Sequence, residues 1–161
     1  MKNTPHKDEL PIEVHAANES YAWTWGVIES AVDGIVAIDA QGFIEYINPA
    51  AQRMFDYSPR EACGKNVKLL MPAPYQAEHD GYLERYMSTK VPKVIGIGRE
   101  VVGKRKDGST FPIHLSVSEV SLEGRTLFTG VIHDISHQKT AQLEKDQLLQ
   151  ELNWRNKELD C

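Results

Sequence analysis

The chain has 161 residues, 41% of them hydrophobic, two cysteines and a formal net charge of -5. That length suits one compact domain with extensions, and the acidic balance argues against non-specific nucleic-acid binding. Cys63 and Cys161 are too few for a disulfide framework, no run of about 18 apolar residues exists to span a membrane, and the N-terminus lacks the apolar core of a signal peptide, so a reduced, cytoplasmic setting is expected.

Residues 1–18 are polar and without period, and are expected to form a flexible leader. From Glu19 the stretch ESYAWTWGVIESAV spaces Trp23, Val27 and Ala31 at four-residue intervals, which predicts an amphipathic helix over 19–32. Two short strands follow, GIVAIDA and FIEYIN, joined across Gln41-Gly42. Asn48-Pro49 supplies an N-cap and a first-turn proline for a helix at PAAQRMF. Ser58-Pro59-Arg60-Glu61 is a capping-box pattern for a second short helix, which Gly64 is placed to end.

A longer helix is expected over PAPYQAEHDGYLERY, residues 72–86. VPKVIGIGREVVGKRK then leads into a strand, reversed at Lys106-Asp107-Gly108 into TFPIHLSVSEV and again at Glu123-Gly124 into RTLFTGVIHDIS. In the middle strand Phe111, Ile113, Leu115 and Val117 alternate with Pro112, His114, Ser116 and Ser118, the period of a half-buried strand. The order predicts an α+β domain over 33–136, a five-stranded antiparallel sheet with short helices on one face. Residues 137–161 read as a charged signalling helix. Leu149, Leu152 and Leu159 fit a heptad seam with Asn156 at the missing position, so a short parallel coiled coil and a homodimer are expected; a solvated helix is the alternative.

Strand pair, capped short helices, longer helix, three-strand meander and a closing HDIS before a coiled coil resemble the PAS sensory fold, with NPAAQRMFDYSPREACGKNVKLLMP its most typical part. The resemblance covers roughly residues 26–136. It is narrower still to the haem-binding, oxygen-sensing PAS domains of FixL-type histidine kinases, on LMPAPYQAEHDGYLERY followed by VIGIGREVVGKRKDGSTFPIHLSV. The resemblance implies haem b, with His79 the proximal iron ligand. It also implies that Arg99 senses the ligand by bonding bound oxygen or a haem propionate, and that Leu115 and Val117 lie over the distal face. Tyr82, Leu83 and Ile97 complete the implied pocket. Arg85 matches a propionate-side arginine, and Lys93 stands where that pattern usually has a propionate-contacting histidine.

The residues taken alone are compatible with this. Tyr75, His79, Tyr82, Leu83 and Tyr86 fall on one helical face, and an imidazole among apolar neighbours suits haem iron. A lone helical histidine is, however, more often structural. Gly81 within the helix costs about 1 kcal/mol relative to alanine, which a flat macrocycle against the helix would explain and a simple helix break would too. The two glycines before Arg99 allow a loop to move a charged donor, or mark an ordinary loop. His114 should face away from the apolar side, and His133 and His137 straddle a strand end. There is no HExxH, phosphate loop, CxxC or nucleophile–base pair, so an enzyme is not expected and any kinase or other output domain lies outside this chain.

The function expected is a haem-based sensor of O2, CO or NO in a two-component system, passing ligand state to a C-terminal helix and a downstream signalling domain. The alternatives are a haem-free dimerisation module, or a PAS pocket for flavin or another small molecule.

Overall fold

In this computed structural model the described residues are 12–89 and 98–160, apart from the side chains of 12–18 and of several positions within 74–89. In chain order the elements are α1 (Ile12–Ser30), β1 (Gly34–Asp39), β2 (Ile44–Ile47), α2 (Pro49–Phe55), α3 (Pro59–Ala62), a 3-10 turn (Val67–Leu70), α4 (Ala73–Thr89), β3 (Arg99–Lys104), β4 (Thr110–Leu122), β5 (Arg125–Asp134) and α5 (Ser136–Leu159). The strands form one antiparallel sheet in the order β2-β1-β5-β4-β3. This is the α+β architecture that the strand alternation predicts.

The punctuation acts as its chemistry dictates. Asn48 caps α2 by accepting from the Ala51 amide, and Ser58 and Glu61 close a complete capping box on α3. Between β4 and β5, Glu123 (φ 50°) and Gly124 (φ 76°) both adopt positive φ. That is the two-residue turn whose twist matches the flanking strands, and it tolerates a glycine far better than a glutamate.

The core lies between the inner sheet face and α2, α3 and the 3-10 turn. Ile44, Ile47, Ala51, Phe55, Ala62 and Phe128 are each no more than 2% exposed. Asn48 is fully buried among them and uses all four of its hydrogen-bonding positions. Its Oδ1 accepts from Ile35 N (2.8 Å) and Ala51 N (3.0 Å), while Nδ2 donates to Ile28 O (3.2 Å) and Asp33 O (3.0 Å). One side chain therefore joins the end of α1, the start of β1 and the cap of α2.

Two expectations are corrected at the N-terminus. The leader does not extend to residue 18, because α1 already begins at Ile12, and the helix ends at Ser30 rather than 32. Ala16, Ala17 and Glu13 are strong helix formers, a signal that shows no apolar period. The aromatic face of α1 is also largely unburied: Trp23 is 74% exposed, and Trp25 rests on Tyr46 with ring centroids 5.2 Å apart. The Tyr46 hydroxyl donates to Glu29 (2.6 Å), and burial together with that carboxylate pushes its pKa above the ordinary tyrosine value.

Candidate functional site

Along β4 the inner face changes character. Phe111 and Ile113 are buried, Leu115 and Val117 are half-buried, and Glu119 is exposed. Directly paired residues share a face. Register therefore sets Arg99, Leu115 and Ile132 in one row, and Val117, Gly130 and Val36 in the next. Gly130 removes a side chain from the middle of the sheet beside Leu115, whose Cδ1 would lie 3.4 Å from an added Cβ. Arg99, at the first position of β3, is exposed at the rim of this apolar surface.

Helix α4 carries His79. Gln76 ties the start of the helix to the preceding turn, its amide donating to Lys68 O (3.0 Å) and Met71 O (2.9 Å). Towards the other end, Tyr86 donates its hydroxyl to Glu119 and meets the Phe128 ring edge-on at 5.7 Å. The bond to Glu119 holds the Tyr86 pKa above the usual tyrosine value, since ionised tyrosine could not donate it. Between these anchors His79 is half-buried, and its Nδ1 is wholly shielded from solvent.

The structure thus aligns Arg99, Leu115 and Val117 on the inner face and sets His79 on the helix between an anchor to the 3-10 turn (Gln76) and one to the sheet (Tyr86). Tyr75, expected on the same helical face, is 41% exposed and lies at the margin instead. Tyr82, Leu83 and Arg85 belong to α4, but their side chains lie outside the described residues, as do Lys93 and Ile97 altogether. An open groove near the start of α4, lined by Lys65, Asn66, Lys68, Leu69, Ala73 and Gln76, contains none of the predicted residues. Among the described residues no cluster of three or more His, Cys, Asp or Glu side chains is arranged to hold a metal ion.

Sequence reasoning missed the ties between the sheet and α5. Arg105 lies over the Phe111 ring (4.0 Å), donates from Nε to Met54 O (3.2 Å) and stands 4.0 Å from Asp134. Asp134 in turn accepts from the backbone and hydroxyl of Ser136, the first residue of α5. On the opposite sheet face Glu100, next to Arg99, pairs with Lys139 at 2.6 Å. The only signal available was the crowding of charged residues at both ends of one strand, which is ordinary for exposed edges.

The PAS fold family profile matches residues 26–135. The chain is 42% identical over 126 residues to the sensor protein FixL of Bradyrhizobium diazoefficiens, covering 78% of this chain and 25% of that protein. It is 27% identical to the oxygen sensor protein DosP of Escherichia coli, covering 76% and 15% respectively. The chain therefore spans about a quarter or less of these relatives. Among solved structures, the PAS domain of an HTR-like protein from Haloarcula marismortui superposes with a TM-score of 0.62 at 23% identity, covering 78% of this chain and all of that one. The five-stranded sheet, the helices on its inner face and the profile match over most of the length place the chain in the PAS family.

Proposed function

We propose that this PAS domain is a haem-based gas sensor with haem b between α4 and the inner sheet face. The observation that supports the reading is the half-buried apolar surface of Leu115 and Val117 with Arg99 in the same cross-strand row, together with a helix, tied to the sheet through Tyr86, whose His79 has a solvent-shielded imidazole nitrogen. The donor set fits the group: haem iron can be held by one imidazole rather than a cluster, and apolar side chains with a nearby cation suit a flat apolar macrocycle bearing carboxylates. Similarity to FixL and to an oxygen sensor protein supports it.

When bound, haem would supply an iron able to take O2, CO or NO. In this reading His79 would hold the iron and Leu115 and Val117 would exclude water from it, the role that the resemblance also assigns to Tyr82, Leu83 and Ile97. The resemblance assigns Arg85 and Lys93 to the haem carboxylates, and Arg99, with fixed charge-assisted donors, would change partner when gas binds. The sensory unit is 33–136, and its state passes through Asp134–Ser136 to the signalling helix α5. That helix buries no residue within one chain, although Leu149, Leu152 and Leu159 line one seam. A 24-residue helix in which no residue is buried takes little stability from packing on its own domain, so a homodimeric coiled coil that reports to a downstream signalling domain completes the reading.

The ultraviolet–visible spectrum of purified protein, with and without dithionite and CO, tests this. A strong Soret band that shifts with CO and is abolished in His79→Ala is expected. A colourless protein that stays apo after haem addition, or flavin absorbance in its place, would overturn the haem assignment. In the loaded protein Arg99→Ala should speed oxygen dissociation; an unchanged rate removes Arg99 from the sensing role.

A further inference from the structure

We infer that a row of ionisable side chains on the outer sheet face, Asp33–His133–His114–Glu100–Lys139, links the ends of both flanking helices to the Arg99 strand, and that protonation of its histidines loosens α5. The inference does not depend on what fills the pocket.

Three observations carry it. Register pairs Glu100 with His114 and His114 with His133, so three neighbouring strands each contribute one group to a single cross-strand row. Paired Cβ atoms in such a row stand about 4.5–5.5 Å apart. Both ends of the row are closed by contacts: His133 Nδ1 lies 2.7 Å from Asp33 Oδ1, just before β1, and Glu100 lies 2.6 Å from Lys139 Nζ in the first turn of α5. His114 is also fitted against the entry to β3. A Cβ on Gly98 would fall 2.4 Å from its Cε1 and 2.7 Å from its Nε2, so the glycine before Arg99 is where this ring lies.

Histidine gains its charge between about pH 5 and 8, and both ring nitrogens then donate. On His133 the new charge meets Asp33 and strengthens the tie at the α1–β1 junction. On His114, whose ring lies against Gly98 one strand across from Glu100, it enters the field of the carboxylate that already holds Lys139, and it stands opposite His133, where a second positive charge is repelled. Protonated His114 therefore competes with Lys139 for one carboxylate. His137, in the same first turn of α5 as Lys139, adds a further positive charge on acidification. Acid tightens the α1 end of the row and weakens the α5 end.

Amide exchange of the full chain between pH 8 and pH 5.5, expressed as protection factors, tests this before and after haem addition. In the wild type the first-turn amides of α5, including Lys139 N bonded to Ile135 O, should lose protection roughly two- to fivefold on acidification, the range of an exposed ion pair. His114→Gln should remove that pH dependence, and Ile35 N beside Asp33 should lose no protection in the wild type. Glu100→Gln, which leaves the ring on Gly98, should give low protection at both pH values. The Phe128 amide reports global folding and should not change in any variant. A wild type whose α5 protection ignores pH, or a His114→Gln variant with the wild-type profile, would overturn the inference.

Discussion

The two halves of this domain are held in different ways. Around β1, β2 and α2, apolar side chains are sealed from water, and the one buried polar group, Asn48, satisfies every donor and acceptor it has. Around α4, β3 and the upper part of β4, inward apolar residues such as Val101, Leu115 and Val117 are half-buried, and Tyr86 and Gln76 anchor the helix. A half that is complete in itself can act as a frame; a half whose apolar surface is only partly covered has packing still to gain from a ligand. Stability and sensing are in this sense divided between the two ends of one sheet.

Replacing the linchpin of the frame should have the largest effect. Asn48→Ala leaves two amides and two carbonyls of three elements without their partner in a dry site, and should cost about 3–5 kcal/mol in urea unfolding. A loss below about 1 kcal/mol would mean that the frame does not depend on this network.

Matched truncations sharpen the contrast. Ile47, 2% exposed in the frame, should lose about 2–5 kcal/mol on mutation to alanine. Leu115, half-buried on the pocket side, should lose only about 1–2 kcal/mol as apo protein. Equal costs would show that the pocket side is packed as tightly as the frame. A smaller effect is expected from Tyr86→Phe, which keeps the ring edge on Phe128 and loses only the bond to Glu119. Amide exchange in the second half of α4 should quicken while the unfolding midpoint barely moves; a midpoint drop equal to that of Ile47→Ala would place Tyr86 in the frame.

Most of the frame was legible because its signals are local. Caps at Asn48 and Ser58, the positive-φ turn at Glu123-Gly124 and the alternation of β4 each depend on residues a few positions apart. Once the turn at Lys106-Asp107-Gly108 fixed register, Arg99 had to fall opposite Leu115, so part of the candidate site was legible too. The pairs Tyr86–Glu119, Arg105–Asp134 and Glu100–Lys139 were not. They join exposed polar residues distant in sequence, and such partners leave no period to read. The early start of α1 was not legible for the opposite reason: its signal is local, but it is helix propensity without an apolar stripe.

The smallest effect belongs to a charge at the frame's edge. Glu61 serves the α3 capping box and also pairs with Lys106 from the β3–β4 turn, whose amide donates to Phe55 O. Lys106 first, and Ser58 after it, hold the Glu61 carboxyl below its ordinary value of 4.5. A carboxyl lowered by folding stabilises the native state fully above its unfolded pKa, and that contribution is lost as pH falls through the folded value. Glu61→Gln can still accept from Ser58 but cannot pair with Lys106. The wild type should therefore lose more stability than Glu61→Gln between pH 5 and 3, measured as urea midpoints. Because the pair is exposed, the difference should shrink in 1 M salt, roughly a 3 Å screening length. A difference that survives salt would mean that the pair acts through burial, and would move this turn from the edge of the frame into its interior.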